Sequence, residues 1–144
     1  MLTTSCHCGA ARIEVSKKPR KLTACNCSVC RRYGAIWAYF RRKDVRLPSR
    51  RALAFYAWGD RRLLFGRCRK CGCVTHWERR VKKRDGSDRM GINVRNVEIP
   101  ESVAKLPIGM LDGARTWKVL HERARPELFH SPRTQRRRRA PPGV

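Results

Sequence analysis

Apolar residues along the chain gather in short runs rich in β-branched and aromatic side chains, the signature of strands. Such runs occupy residues 11–15, 35–40, 53–58, 62–66, 74–77 and 90–94, and Gly and Asp punctuate them. Trp58-Gly59-Asp60 separates two runs and Asp85-Gly86-Ser87-Asp88 precedes another. Glycine tolerates the positive φ of tight turns, so both segments read as hairpin connections. The pattern predicts a mainly β, antiparallel domain. One helix is expected from about Asp112, with Trp117, Leu120 and His121 spaced for one face until Pro126 interrupts it. A shorter helical turn is expected after Cys30, through Arg31 and Arg32 to Gly34. No internal repeat is visible. The only biased segment is the end, SPRTQRRRRAPPGV, which reads as a disordered Arg-rich tail at residues 131–144 after a domain at 1–130.

Composition changes this picture in one respect. A chain of 144 residues fits one domain, and 41% hydrophobic against 32% charged residues leaves little apolar surplus for its core. Something besides apolar burial is expected to hold it together. Eight cysteines are the obvious candidates, as disulfides or as metal ligands. The opening MLTTSCHCGAA lacks the basic flank and apolar run of a secretory signal, and no window approaches the length of a membrane span. A cytoplasmic location follows as an expectation, where thiols stay reduced and free to bind metal. The net charge of +24 is spread over the body as well as the tail, and such a field attracts anions, nucleic acid included.

The cysteines fall into three groups: Cys6-x-Cys8, Cys25-x-Cys27-x-x-Cys30, and Cys68-x-x-Cys71-Gly72-Cys73. In extended chain, residues i and i+2 face the same way, so a CxC pair presents both sulfurs to one ion. A CxxC turn does the same by curling round the metal. Cys6, Cys8, Cys68 and Cys71 therefore make a complete tetrahedral set for a structural zinc. Cys25, Cys27 and Cys30 supply three thiolates, which would leave a fourth position for water or substrate. Spacing alone equally allows Cys73 to close that second site.

At these residues the sequence resembles the glutathione-dependent formaldehyde-activating enzyme family, the group that also includes centromere protein V-like proteins. CHCGAARIEV, ACNCSVCRRYG, FGRCRKCGCVTHW and GINVRNVE stand in the family's order over residues 5–98, with a compatible LDGARTWKVL after them. The resemblance implies an Mss4-like fold of coiled antiparallel sheets with two zinc sites, to which the helix expected from Asp112 adds a short C-terminal helix. It implies a structural zinc on Cys6, Cys8, Cys68 and Cys71, a second zinc on Cys25, Cys27 and Cys30, and Cys73 outside the usual ligand set. It also implies carbon–sulfur lyase chemistry on a small thiol such as glutathione, as in the joining of formaldehyde to glutathione.

Asn93 and Arg95 lie two apart in an expected strand, where they could bind a substrate carboxylate or simply satisfy a strand edge. Arg31 and Arg32 could attract an anionic thiol. His7 and His76 sit near ligand clusters, where supporting or packing roles are expected. Trp37, Trp58, Trp77 and Trp117 are expected in the core. The class alternative is a non-catalytic zinc module that binds nucleic acid or an acidic partner through its basic surface and Arg136 to Arg139.

Overall fold

The computed structural model describes residues 1–129, so the expected tail lies outside the described residues. The chain runs through β1 (Leu2–Ser5), β2 (Arg12–Val15), β3 (Leu22–Cys25), α1 (Ser28–Tyr33), β4 (Ile36–Arg41) and β5 (Val45–Arg46). It continues through β6 (Leu53–Ala57), β7 (Leu63–Cys68), β8 (Val74–Arg79), β9 (Arg89–Asn93), α2 (Glu101–Ala104), β10 (Pro107–Leu111) and β11 (Val119–Ala124). Each of the six expected runs is a strand, displaced at either end by no more than about two residues. The turns at Gly59 and Gly86 have φ of 63° and 65°, the left-handed backbone that glycine adopts without a Cβ penalty.

The strands form a three-stranded sheet in the order β1-β2-β5 and an eight-stranded sheet in the order β11-β10-β3-β4-β9-β8-β7-β6. Pairing is antiparallel except between β3 and β10, where Leu22 lies opposite Ile108 in a parallel ladder. That pair departs from the fully antiparallel expectation. It arises because β10 enters the sheet after a long excursion through α2, and parallel neighbours need such a crossover.

The helix expected from Asp112 does not form, and residues 119–124 are instead the edge strand β11, paired antiparallel with β10. Asp112 explains the difference. Its carboxylate accepts from Thr116 Oγ1 at 2.8 Å and from Thr116 N at 3.2 Å, and its carbonyl accepts from Trp117 N at 2.8 Å. These bonds close a compact loop rather than cap a helix, and Asp112 N donates to Lys118 O across the hairpin. The expected turn after Cys30 does form, as the end of α1, which stops at Gly34.

The main apolar core draws on both sheets, with Ile13, Val15, Leu22, Ala38, Met90 and Ile92 fully buried. Two smaller clusters are built around sulfur. One gathers Cys6, Ala11, Leu53 and Cys68, and the other Cys27, Cys30, Val29, Ala35, Trp37 and Phe65. A chain with little apolar surplus thus places its cysteines where satellite cores need holding together.

Candidate functional site

All eight cysteines are free thiols. Cys6, Cys8, Cys68 and Cys71 converge so that one sulfur from each lies within 4.8 Å of the others. Cys6 Sγ to Cys8 Sγ is 3.6 Å and Cys8 Sγ to Cys68 Sγ is 3.7 Å. A tetrahedron with metal–sulfur bonds of about 2.3 Å has sulfur–sulfur edges of about 3.8 Å, so the spacing fits a metal held at its centre. Backbone amides also point at these sulfurs. Ala11 N donates to Cys6 Sγ at 3.2 Å. Amides of Cys73 and Cys8 hold the Cys71 thiol down to about 5, and those of Cys71 and Lys70 lower Cys68. Burial pushes Cys6 up to about 12. Lone thiols crowded this closely hold their protons unequally, and a bound cation would make thiolates of all four.

Cys25, Cys27 and Cys30 form a second group, again with sulfurs within 4.8 Å of one another. Cys25 ends β3, Cys27 precedes α1, and Cys30 lies on its first turn, so the strand-to-helix junction carries all three. The hydrogen bond from the Cys30 thiol draws Cys25 down to about 6, helped by the amides of Cys27 and Gly113. Cys30 is raised by the same shared proton and by burial, although Trp37 Nε1 donates to its sulfur at 3.3 Å. Cys73 lies elsewhere. It belongs to the first cluster, where its backbone carbonyl accepts from Cys68 N at 2.9 Å, and no fourth cysteine joins the second group.

The second group is clamped from the far side by the loop after β10. Asn26 Nδ2 donates to Asp112 Oδ1 at 2.9 Å, and Asn26 Oδ1 accepts from Ala114 N at 2.9 Å. Between these bonds Gly113 lies so close to the ligands that a Cβ there would sit 2.5 Å from Cys25 Sγ. Above the three sulfurs opens a cavity of about 460 Å³. Its walls are largely aromatic, with Arg79 and the ion pair of Arg62 with Asp60 at 3.3 Å as their charged groups.

A sequence model of the family described as glutathione-dependent formaldehyde-activating enzyme matches residues 1–119. The chain belongs to this family. It is also similar to the crystal structure of a Rhodobacter sphaeroides protein solved as a structural genomics target, with 33% identity and a TM-score of 0.58. That match covers 74% of this chain and 98% of the other. No curated protein matches it. Family membership and the two sulfur clusters together fit a metal-binding member of the family.

The remaining expected site residues are placed away from the cavity. Asn93 is buried, its Oδ1 accepting from Ile36 N and Arg95 N while Nδ2 donates to Val74 O. Arg95 lies in the 3₁₀ turn after β9, not in the strand, and donates to the carbonyls of Gly34 and Leu128. Both tie backbone segments together and neither lines the cavity. Arg31 and Arg32 are exposed on α1, also off the cavity. His7 is exposed, and His76 is fully buried against Phe55 with Thr75 Oγ1 at 2.9 Å from its Nδ1. Of the tryptophans only Trp37 is deep in the core. Trp58 and Trp117 are 48% and 70% exposed, contrary to the expectation, because each sits in a turn at the cavity. Asn26, Gly113, Arg62 and Arg79 were not singled out by sequence reading. Asn26 carried a signal, as an amide inside the CxCxxC segment with both donors and an acceptor to satisfy.

Proposed function

We propose that the chain makes and breaks a carbon–sulfur bond in a small thiol–carbonyl adduct, in the manner of S-hydroxymethylglutathione synthesis, with one structural zinc and one at the reacting centre. The observation that carries this reading is the pairing of a four-sulfur cluster with a three-sulfur cluster that opens on a cavity. Four thiolates complete a tetrahedral zinc, whereas three leave a position for an incoming group. Cys6, Cys8, Cys68 and Cys71 would hold the structural ion, and Cys25, Cys27 and Cys30 the other. Zinc at the second site would supply Lewis acidity and favour the thiolate form of a thiol beside it.

The chain's own residues do the rest. Asn26 and Asp112 fix the Cys25–Cys27 segment against the loop at Gly113, so the sulfurs keep their geometry when substrate leaves. Trp37, Phe65 and Trp77 exclude water from the cavity floor. Arg79, with Arg62 offset by Asp60, favours an anionic thiol such as glutathione. The test is the exchange rate between free and adduct glutathione in the presence of an aldehyde, measured by magnetisation transfer. Wild type should exceed the uncatalysed rate. Cys27→Ser should return to it while keeping one zinc per chain. A wild-type rate equal to background with every aldehyde tried would sink the reading.

A second reading rests on a different surface. Lys17, Lys18, Arg20, Lys21, Arg41 and Arg89 line one open groove of about 820 Å³, with Asp44 as the one acid among the described residues that line it, itself paired with Lys17 at 3.1 Å. Such a groove suits a phosphate backbone, so the protein could bind nucleic acid through it, with affinity that falls steeply as salt rises. No binding to a DNA duplex at low salt would remove this reading.

A further inference from the structure

We infer that the thiol–carbonyl adduct handled at Cys25, Cys27 and Cys30 carries an apolar group about the size of an aromatic ring, which the formaldehyde adduct of glutathione lacks. The inference rests on the carbon–sulfur reading above and names its substrate class. The cavity of about 460 Å³ falls within the range of sites built for ligands far larger than formaldehyde. The charged termini of glutathione and a hydroxymethyl group would set little apolar surface against its aromatic walls.

Those walls are ordered to receive a ring. Trp37 and Phe65 meet at a centroid distance of 6.4 Å and Tyr39 and Trp77 at 5.9 Å, both tilted, which leaves faces and edges available for another aromatic group. Trp58 and Trp117 complete the lining from two turns. Large indoles left 48% and 70% exposed are unfavourable unless something covers them. Trp117 is moreover held at φ 58°, a left-handed backbone that bulky residues avoid. Its ring lies 3.6 Å from the place a Cβ would occupy on Gly113, beside Cys25. A strained, exposed tryptophan next to a sulfur ligand marks a contact made with substrate.

The chemistry requires no other reactant. Sulfur of the thiol adds to the carbonyl carbon, the carbon–oxygen π pair moves to oxygen, and the thiol proton ends there, giving a hemithioacetal. Cleavage is the reverse, and neither direction is a redox step. The aromatic cleft holds the adduct's apolar group, and Arg79 adds positive charge to a lining in which Arg62 is paired with Asp60.

The test titrates the cobalt-loaded full-length protein with benzyl mercaptan and with 2-mercaptoethanol, following cobalt absorption for the sulfur and calorimetry for total binding. Burial of a phenyl ring makes benzyl mercaptan the tighter ligand by about 10- to 100-fold. In the double variant Trp58→Ala, Trp117→Ala the preference should fall below about threefold with cobalt content unchanged, since both side chains are exposed on turns. Equal affinity for the two thiols, with a changed cobalt spectrum, overturns the inference and leaves the open sulfur site standing. Binding of benzyl mercaptan with an unchanged cobalt spectrum upholds the apolar cleft and overturns the reading of the metal site. Silence with both thiols overturns both.

Discussion

Gly113→Ala is the smallest change that should separate the two sulfur sites. A Cβ at this position would stand 2.5 Å from Cys25 Sγ and 3.3 Å from Cys27 Cβ. Non-bonded heavy atoms rest at about 3.5–4.0 Å, so the sulfur or the loop must move by about 1 Å. Metal–sulfur bonds tolerate roughly 0.2 Å. The loop in turn is pinned by Asn26 to Asp112 and to Ala114 and by Asp112 to Thr116. Overpacking against so fixed a frame costs about 1–3 kcal/mol. Charged to the metal-bound state, that is a weakening of about fivefold to 150-fold at the second site. The first site lies in a separate cluster and should be unchanged. Competition with a chromophoric chelator reads both affinities in one titration. Two tight zincs in Gly113→Ala, equal to wild type, would refute the proposed clamp on Cys25.

Burial drives His76 down to about 4, below its ordinary 6.5, and its Nε2 has no hydrogen-bond partner among the described residues. The unfolded chain therefore binds the extra proton between these values, and stability present above pH 6.5 is lost by about 3 kcal/mol as pH falls to about 4. Urea unfolding across this range should show that loss in wild type beyond whatever His76→Phe shows; parallel curves would contradict it. Cys73→Ser should leave two zincs per chain and the exchange rate intact, because Cys73 stands beside the first cluster and outside both sets of converging sulfurs. One zinc in that variant would mean that Cys73 is a ligand. If a DNA duplex binds, its affinity should drop by about 10³-fold or more between 50 mM and 200 mM salt for six phosphate contacts, and Lys21→Glu with Arg89→Glu should weaken it further. Salt-independent affinity would exclude the basic groove.

Much of the architecture was readable because it depends on local pattern. Runs such as IWAYFR and VTHWER are β-branched and aromatic enough to declare strands, and CxC and CxxC spacings state which cysteines can share an ion. What escaped depends on contacts distant in sequence. Trp117, Leu120 and His121 have helical spacing, yet the carboxylate of Asp112 closes a loop first and β10 then captures residues 119–124 as an edge strand. Nothing local to Cys73 says which cluster it joins, and the ladder between β7 and β8 decides that. Gly113 looks like an ordinary turn glycine until β3 and β10 lie side by side and bring Cys25 against it. Tryptophan in a turn, as at Trp58 beside Gly59-Asp60, was the available hint that not every indole belongs to the core.

The central claim is a closed four-sulfur site beside an open three-sulfur site, and anomalous scattering at the zinc edge from crystals soaked with a small thiol tests it most directly. The account predicts two zinc peaks. One should be surrounded by Cys6, Cys8, Cys68 and Cys71, and the other by Cys25, Cys27 and Cys30 with the added thiol's sulfur at about 2.3 Å as its fourth neighbour. A single peak, or a second zinc whose fourth neighbour is a side chain of the protein, would contradict it.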